Sequence, residues 1–390
     1  MTMFDLAERL KGLPFYLYPT IEAVTKEALR KGKDLIDLST GDPEFPTPGY
    51  IVKKMQEACS DPSTHRYGSM VGYAPFLEAV AAWYKRRFGV HLDSKSEVID
   101  FLGSKEGIAF LPSAFLNPGD VALVPDPGYP TYRYAAAFAN AKLRTFPIRP
   151  ENNYEPDYDE IPKDVAREAK IIFLNYPNNP TGATVERDFF ERTVKFAEEN
   201  SIIVCHDAAY SEVAFEGYKA PSFLEVDGAK EVGVEFHTLS KTFCMTGWRL
   251  GFASGNPKII RALLEVKRVT SSGHFTAIEM AGVEALSREP VELERNNRVF
   301  QERRDFVIAE LRRFGIDIQP PRGSFYIWFR IPKEKDSLSF VKKMILETGI
   351  ITFPGIGYGE NGEGYVRIAI VQELSKIKEA LGRLEPHLRT

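Results

Sequence analysis

Apolar positions recur along this chain with two different periods. In GYAPFLEAVAAWYKRRFG, Phe76, Ala79, Val80, Trp83 and Tyr84 fall at helical intervals, which predicts a helix with one buried face. RDFFERTVKFAEEN has the same pattern, with mixed charge on its other faces. Between such stretches lie short apolar runs that read as strands: EVIDFLG, DVALVPDPGY, KLRTFPI, AKIIFLNYP, SIIVCHDAAY and GVEFHTLS. Strands alternating with helices predict a mainly parallel sheet covered by helices on both faces. In such sheets, ligands sit at the carboxyl ends of the strands. After about residue 280 the pattern changes. A long charged helix, broken or kinked at Pro290, leads into a strand pair near SFYIWFRI and GYVRIAI, which predicts a second, smaller α+β domain.

Composition narrows the partners. The 390 residues are 44% hydrophobic, enough for a large core and for two domains. The net charge of −4 comes from 50 basic and 54 acidic residues mixed along the chain. No basic face points to nucleic acid or to an anionic membrane, so small molecules or another subunit are the expected partners. Three cysteines, Cys59, Cys205 and Cys244, are odd in number and far apart, which fits unpaired thiols in a reducing compartment. No CxxC pair suggests zinc. The first residues carry Asp5, Glu8, Arg9 and Lys11 where a signal peptide needs an apolar core, and no later apolar run approaches membrane-spanning length. A cytoplasmic protein is expected.

Polar residues gather at the ends of the predicted strands, in LNYPNNPTG, CHDAAY and TLSK. Taken singly, NNPTG is a good turn and a lone Asp after a strand is a helix cap. HTLSKTFCMTGWRLGF is harder to dismiss. It holds Lys241 and Arg249 eight residues apart, with no carboxylate between Glu235 and Glu265. Two cations in so uncharged a run await a ligand. Asn179, Asp207, Tyr210, Lys241 and Arg249 follow one another in an order that one chemistry explains, that of pyridoxal phosphate.

SKTFCMTGWRLGF resembles the lysine signature of the class I aminotransferases of pyridoxal phosphate fold type I. LSTGDPEFPTP, RYGSMVGY, GSKEGI, PDPGYPTY, NYPNNPTG, HDAAYSE and GEGYVRIAI are similar to that family too, in order, across nearly the whole chain. The resemblance implies an α/β large domain with a mainly parallel seven-stranded sheet, at residues 46–285. Residues 1–45 are then an N-terminal arm and part of the small domain, which residues 286–390 complete. It also implies a homodimer with a shared active site.

The chemistry asks for particular groups. A lysine in a dry cleft is more readily deprotonated, so Lys241 is the expected partner of the cofactor's aldehyde and the general acid/base. The pyridine nitrogen must stay protonated, which asks for a buried carboxylate, Asp207. The resemblance places Asn179 and Tyr210 on the phenolate oxygen and Tyr129 on the ring face. The phosphate needs donors and positive charge: Arg249, the hydroxyls of Thr238 and Ser240, and the helix start at Ser104 and Lys105. Tyr67 matches a tyrosine that in this family reaches the phosphate of the neighbouring subunit; a core tyrosine is the rival reading. Arg367, an arginine in an apolar strand, is costly unless paired. The family uses it to clamp the substrate α-carboxylate, where Gly41 presents backbone. Asn179 is expected at the substrate as well.

Two motifs lead elsewhere. GYGENG satisfies G-x-G-x-x-G, but the following EGYVRIAI reads as a strand, whereas a dinucleotide site needs a helix there. No GxxxxGK[ST] is present. His206 and His237 lie beside proposed site residues, where a lone histidine at a strand end reads as a structural group.

Within the family, HRYGSMVGY, AAWYKRRFGV, GSKEGIAF, FLNYPNNPTGA, HDAAYSE, EFHTLSKT and SSGHF are most similar to the bacterial LL-diaminopimelate aminotransferases. The chain departs from that group at Val269 and Ser271, where Asn and Asp are usual, and at Phe243 and Cys244, where Tyr-Asn is usual. Specificity is expected around Val269 to His274 and near Phe15, Tyr16 and Tyr18. Aspartate, alanine or an aromatic amino acid remain alternative donors, with 2-oxoglutarate the expected acceptor. A pyridoxal phosphate β-lyase would use the same residues. Regulators with this fold carry a DNA-binding domain, for which a first motif near residue 39 leaves no room.

Overall fold

The apolar runs pair into one seven-stranded sheet. In spatial order its strands are Val98–Phe101, Gly251–Gly255, Gly233–Thr238, Ile203–Asp207, Ala169–Asn175, Val121–Asp126 and Lys142–Pro147. Gly251–Gly255 runs antiparallel to both neighbours, and the remaining pairs are parallel. This computed structural model describes residues 5, 7–11, 13, 16–289, 291–332 and 336–389.

Alternate residues of the strands feed two cores. On one face, Leu123, Ile172, Leu174, Val204 and Phe252 pack with Phe76, Val80, Trp83 and Tyr84 of the helix Ala74–Phe88 and with Phe189, Phe190 and Val194 of Arg187–Asn200. On the other, Val124, Phe173, Cys205 and Phe236 meet Ile108 and Leu111 of Ser104–Phe115, Tyr132 of Pro130–Phe138, and Leu263 of Pro257–Thr270. Burial on both faces explains why the central strands are mostly apolar instead of alternating, whereas the edge strand Lys142–Pro147 is largely exposed.

A third core joins the two ends of the chain. Ile21 and Ala28 of the helix Tyr18–Arg30 pack with Phe300, Val307 and Leu311 of Val291–Arg313 and with the C-terminal helices Ser337–Thr348 and Leu374–Leu388. The strands Phe353–Pro354, Tyr365–Ala369 and Tyr326–Arg330 form an antiparallel sheet there, and Ile36–Asp37 pairs parallel with Ile350–Ile351. Tyr210, Val213 and Phe215 reach into this core from beyond the large sheet.

The sequence expectation of one long helix after residue 280 becomes two helices, Thr276–Leu286 and Val291–Arg313. Pro290, the expected break, lies outside the described residues. Among the described residues, no helix is long and apolar enough to cross a membrane.

Candidate active site

Many of the candidate side chains are delivered by a strand end or by the short element after it, whereas Arg367 lies within the strand Tyr365–Ala369. Asp207 closes the strand Ile203–Asp207 and is buried. Its Oδ2 accepts from the Tyr132 hydroxyl at 2.8 Å and its Oδ1 from the Ala209 N–H at 3.2 Å. Burial raises its pKa, and these two bonds oppose the rise. Both partners are neutral, so a cation would find this carboxylate ready to pair.

The strand Gly233–Thr238 ends in the next group. Thr238 caps the short helix Leu239–Thr242, its hydroxyl accepting from the Ser240 N–H at 3.2 Å. That turn carries Lys241, whose amine donates to the Gly41 carbonyl at 2.6 Å. Burial pushes the Lys241 pKa down to about 8, helped by the charges of Arg249 and Arg367 and opposed by Asp42. Gly41 tolerates no side chain, because a Cβ there would lie 2.0 Å from the Tyr326 hydroxyl.

Arg249 sits with φ of +58°, a left-handed conformation uncommon for a residue with a side chain. Its guanidinium donates to the Thr246 carbonyl at 2.7 Å and the Leu102 carbonyl at 3.0 Å, and reaches Ser240 Oγ at 3.5 Å. Ser240 Oγ also accepts from the Thr238 hydroxyl at 2.9 Å. Gly103, at φ of +83°, leaves room for the guanidinium, and Ser104 begins the helix Ser104–Phe115 directly after it. Arg249, Ser240, Thr238 and an amide-rich helix start are thus gathered at one place suited to an anion. Lys105 follows Ser104 in the first turn of that helix and is exposed, as is Arg249.

Arg367 is 3% exposed and lies over the Tyr326 ring, 4.0 Å from its centroid. It donates to Asn179 Oδ1 at 2.8 Å and to the Ser39 carbonyl, while its Nε has no partner among the described residues. With its amide oxygen turned to Arg367, Asn179 has an NH2 that meets no acceptor among the described residues and can donate. The Tyr210 hydroxyl meets that of Tyr326 at 3.1 Å. Tyr129 is half-buried, its ring 5.6 Å from that of Tyr132. Tyr18 joins this end of the cleft, its ring 4.8 Å from that of Phe353. Tyr16 packs on Tyr18, and Phe15 lies outside the described residues.

Two expected residues stand apart. Tyr67 is 91% exposed, which excludes the core reading, and Val269 is 84% exposed on the helix Pro257–Thr270. The strand after GYGENG is present, Tyr365–Ala369, in agreement with the rejection of a dinucleotide site. His206 and His237 both engage Glu235, at 2.8 and 2.9 Å. Burial would raise the Glu235 pKa, but the two imidazoles hold its carboxyl well below the usual range. Both histidines are thus tied to Glu235, while His206 Nε2 has no partner among the described residues.

Sequence reasoning passed over Tyr132 and Tyr326. Tyr132 lies three residues beyond Tyr129 on the same helical turn, a spacing that could have marked it. Tyr326 sits in an apolar strand and carries no local polar signal.

The donors fit pyridoxal phosphate. An amine, a buried carboxylate with neutral partners, and an arginine beside hydroxyls and a helix start match its aldehyde, pyridine nitrogen and phosphate.

Comparison with known proteins follows the same line. Residues 33–384 match the family model described as aminotransferase class I and II. The LL-diaminopimelate aminotransferase of Syntrophobacter fumaroxidans is 50% identical over 98% of this chain and 98% of its own length. That of Aquifex aeolicus is 46% identical over 98% of this chain and 99% of its own. Among solved structures, apo BacF from Bacillus subtilis superposes with a TM-score of 0.95 at 38% identity, covering 99% of both chains.

Proposed function

Since the chain belongs to the class I and II aminotransferases and depends on pyridoxal phosphate, we propose that it transfers the amino group of LL-diaminopimelate to 2-oxoglutarate. The observation that carries the amino-acid reading is the segment Ser39–Gly41. One end accepts from Arg367 and the other from Lys241. A cation suited to a carboxylate and an amine near neutrality are thereby fastened to three consecutive residues, the separation of functions that an α-amino acid presents. The two relatives named above support the choice of donor.

Bound in this cleft, the cofactor supplies an electron sink for the Cα–H bond of the substrate. The residues do the rest. Arg367 holds the α-carboxylate in a bidentate fork, with its stacking on Tyr326 fixing the plane of the guanidinium. Lys241 would act as general base and acid, taking the proton from Cα while the bond's electron pair passes to that sink, and holding the proton for return. Asp207 keeps the pyridine nitrogen protonated, and the Tyr132 hydroxyl keeps Asp207 in place. Asn179 and Tyr210 donate to the phenolate oxygen. The amino group would be carried on the cofactor between two half-reactions, water releasing the donor as its oxo acid in the first and a second oxo acid taking up the group in the second.

We further propose a homodimer in which Tyr67 serves the partner's phosphate site, supported by its exposure, and a cytoplasmic location, which three free cysteines fit. Borohydride reduction of the holoenzyme followed by peptide mapping tests the core of the assignment. The cofactor should be attached to Lys241, and Lys241→Ala should fold and bind cofactor without transferring amino groups. Attachment to another lysine, such as Lys105, would refute the assignment.

A further inference from the structure

Beneath Arg249 lies a buried charge cluster that the amino-transfer chemistry leaves unused. Asp100, Lys267, His274 and Glu279 are all 4% exposed or less. They come from the strand Val98–Phe101, the helix Pro257–Thr270, the loop after it, and the helix Thr276–Leu286. The ligand atoms of Asp100, His274 and Glu279 lie within 4.8 Å of one another, close enough for a metal ion. The ammonium of Lys267 pairs with the same carboxylate, 2.6 Å from Asp100 Oδ1 and 2.9 Å from the Asp100 carbonyl. The cluster is thus internally compensated, and its purpose has to be sought in what it touches.

It touches Arg249 through one atom. His274 Nδ1 meets Asp100 Oδ2, and His274 Nε2 lies 3.1 Å from the carbonyl oxygen of Arg249. A carboxylate and a carbonyl only accept. Both ring nitrogens must therefore donate, which makes the ring an imidazolium. Burial works against that charge, but Asp100 outweighs it and raises the His274 pKa. Glu279 faces the same ring, and burial together with Asp100 holds its carboxyl up to about 7. The bonded carbonyl belongs to the residue whose left-handed backbone aims a guanidinium at the expected phosphate position.

We infer that His274 is a positioning residue for the phosphate end of the cleft: clamped between Asp100 and the Arg249 carbonyl, it fixes the left-handed turn that orients the Arg249 side chain. This rests on the assignment of Arg249 to the cofactor phosphate. A neutral ring would keep one of the two bonds and deprive the other acceptor of this donor. That loosens the turn without touching the groups around the cofactor ring.

Full-length enzyme resolved of its cofactor can be titrated with pyridoxal phosphate and, separately, with pyridoxal, which lacks the phosphate. His274→Gln, which is neutral and cannot donate along both directions at once, should bind pyridoxal phosphate roughly tenfold or more weakly, the scale of one lost charge-assisted hydrogen bond. Its pyridoxal affinity should match the wild type. Equal weakening toward both ligands, or none toward either, would overturn the inference. Arg249→Gln separates the two levels: if it binds pyridoxal phosphate as tightly as wild type, the phosphate assignment fails, and this inference with it. Wild-type protein carrying 15N-histidine gives a readout that does not depend on the variant folding. One of the six imidazoles should have both nitrogens protonated at neutral pH, and a spectrum with none would refute the clamp.

Discussion

Lys241 must be neutral to attack an aldehyde, and an exposed lysine is almost wholly protonated at neutral pH. Burial and the two nearby arginines bring its pKa to about 8. The sign follows directly: below that value the amine is protonated and inert, above it neutral. The rate at which resolved enzyme takes up pyridoxal phosphate should therefore rise with pH through a midpoint near 8 and level off above it, whereas a profile still rising steeply beyond 10 would mean an ordinary exposed lysine. Asp207 makes the opposite demand, since it must keep its charge in spite of burial. The Tyr132 hydroxyl and the Ala209 N–H oppose the upward shift, and a protonated pyridine nitrogen would oppose it further. Asp207→Ala removes that charge, and turnover should fall by about a hundredfold or more, with a much smaller loss of cofactor affinity. Steady-state kinetics beside a cofactor titration would show it. Near-normal turnover would contradict the role.

At the scale of elements, the six apolar runs read as strands are strands of the large sheet, and RDFFERTVKFAEEN is the helix Arg187–Asn200. The seventh strand, GFASG, was not legible as one, because its glycines, alanine and serine lack the β-branched signature. Only pairing on both edges makes it a strand. The site divides the same way. Asn179, Asp207 and Lys241 follow strands closely enough to be seen locally and Arg249 stands in a run without carboxylates, whereas Tyr132 and Tyr326 meet the proposed site through contacts made across the fold. Val269 is a related case. It replaces a residue expected near the substrate, yet it stands exposed on its own subunit. If that helix end faces a substrate across a subunit boundary, Val269→Asn should raise diaminopimelate turnover relative to alanine. An unchanged ratio with excess 2-oxoglutarate would remove the helix end from specificity.

For the whole molecule, the question is whether one chain suffices. Tyr67 is a 91% exposed aromatic on a segment matched by the family's motif, and such a side chain gains a function when a second copy covers it. Light scattering should give twice the 44.0 kDa of the chain. Tyr67→Ala should remain dimeric but hold pyridoxal phosphate less tightly. A fully active monomer would contradict the shared site. The central claim, however, is amino transfer from LL-diaminopimelate, and its most direct test is kcat/KM for that donor against alanine, aspartate and phenylalanine. Glutamate formed from excess 2-oxoglutarate is the readout. The account predicts that LL-diaminopimelate exceeds each of the others by at least tenfold. A higher value for any of the three, or release of pyruvate and ammonia without glutamate, would contradict it.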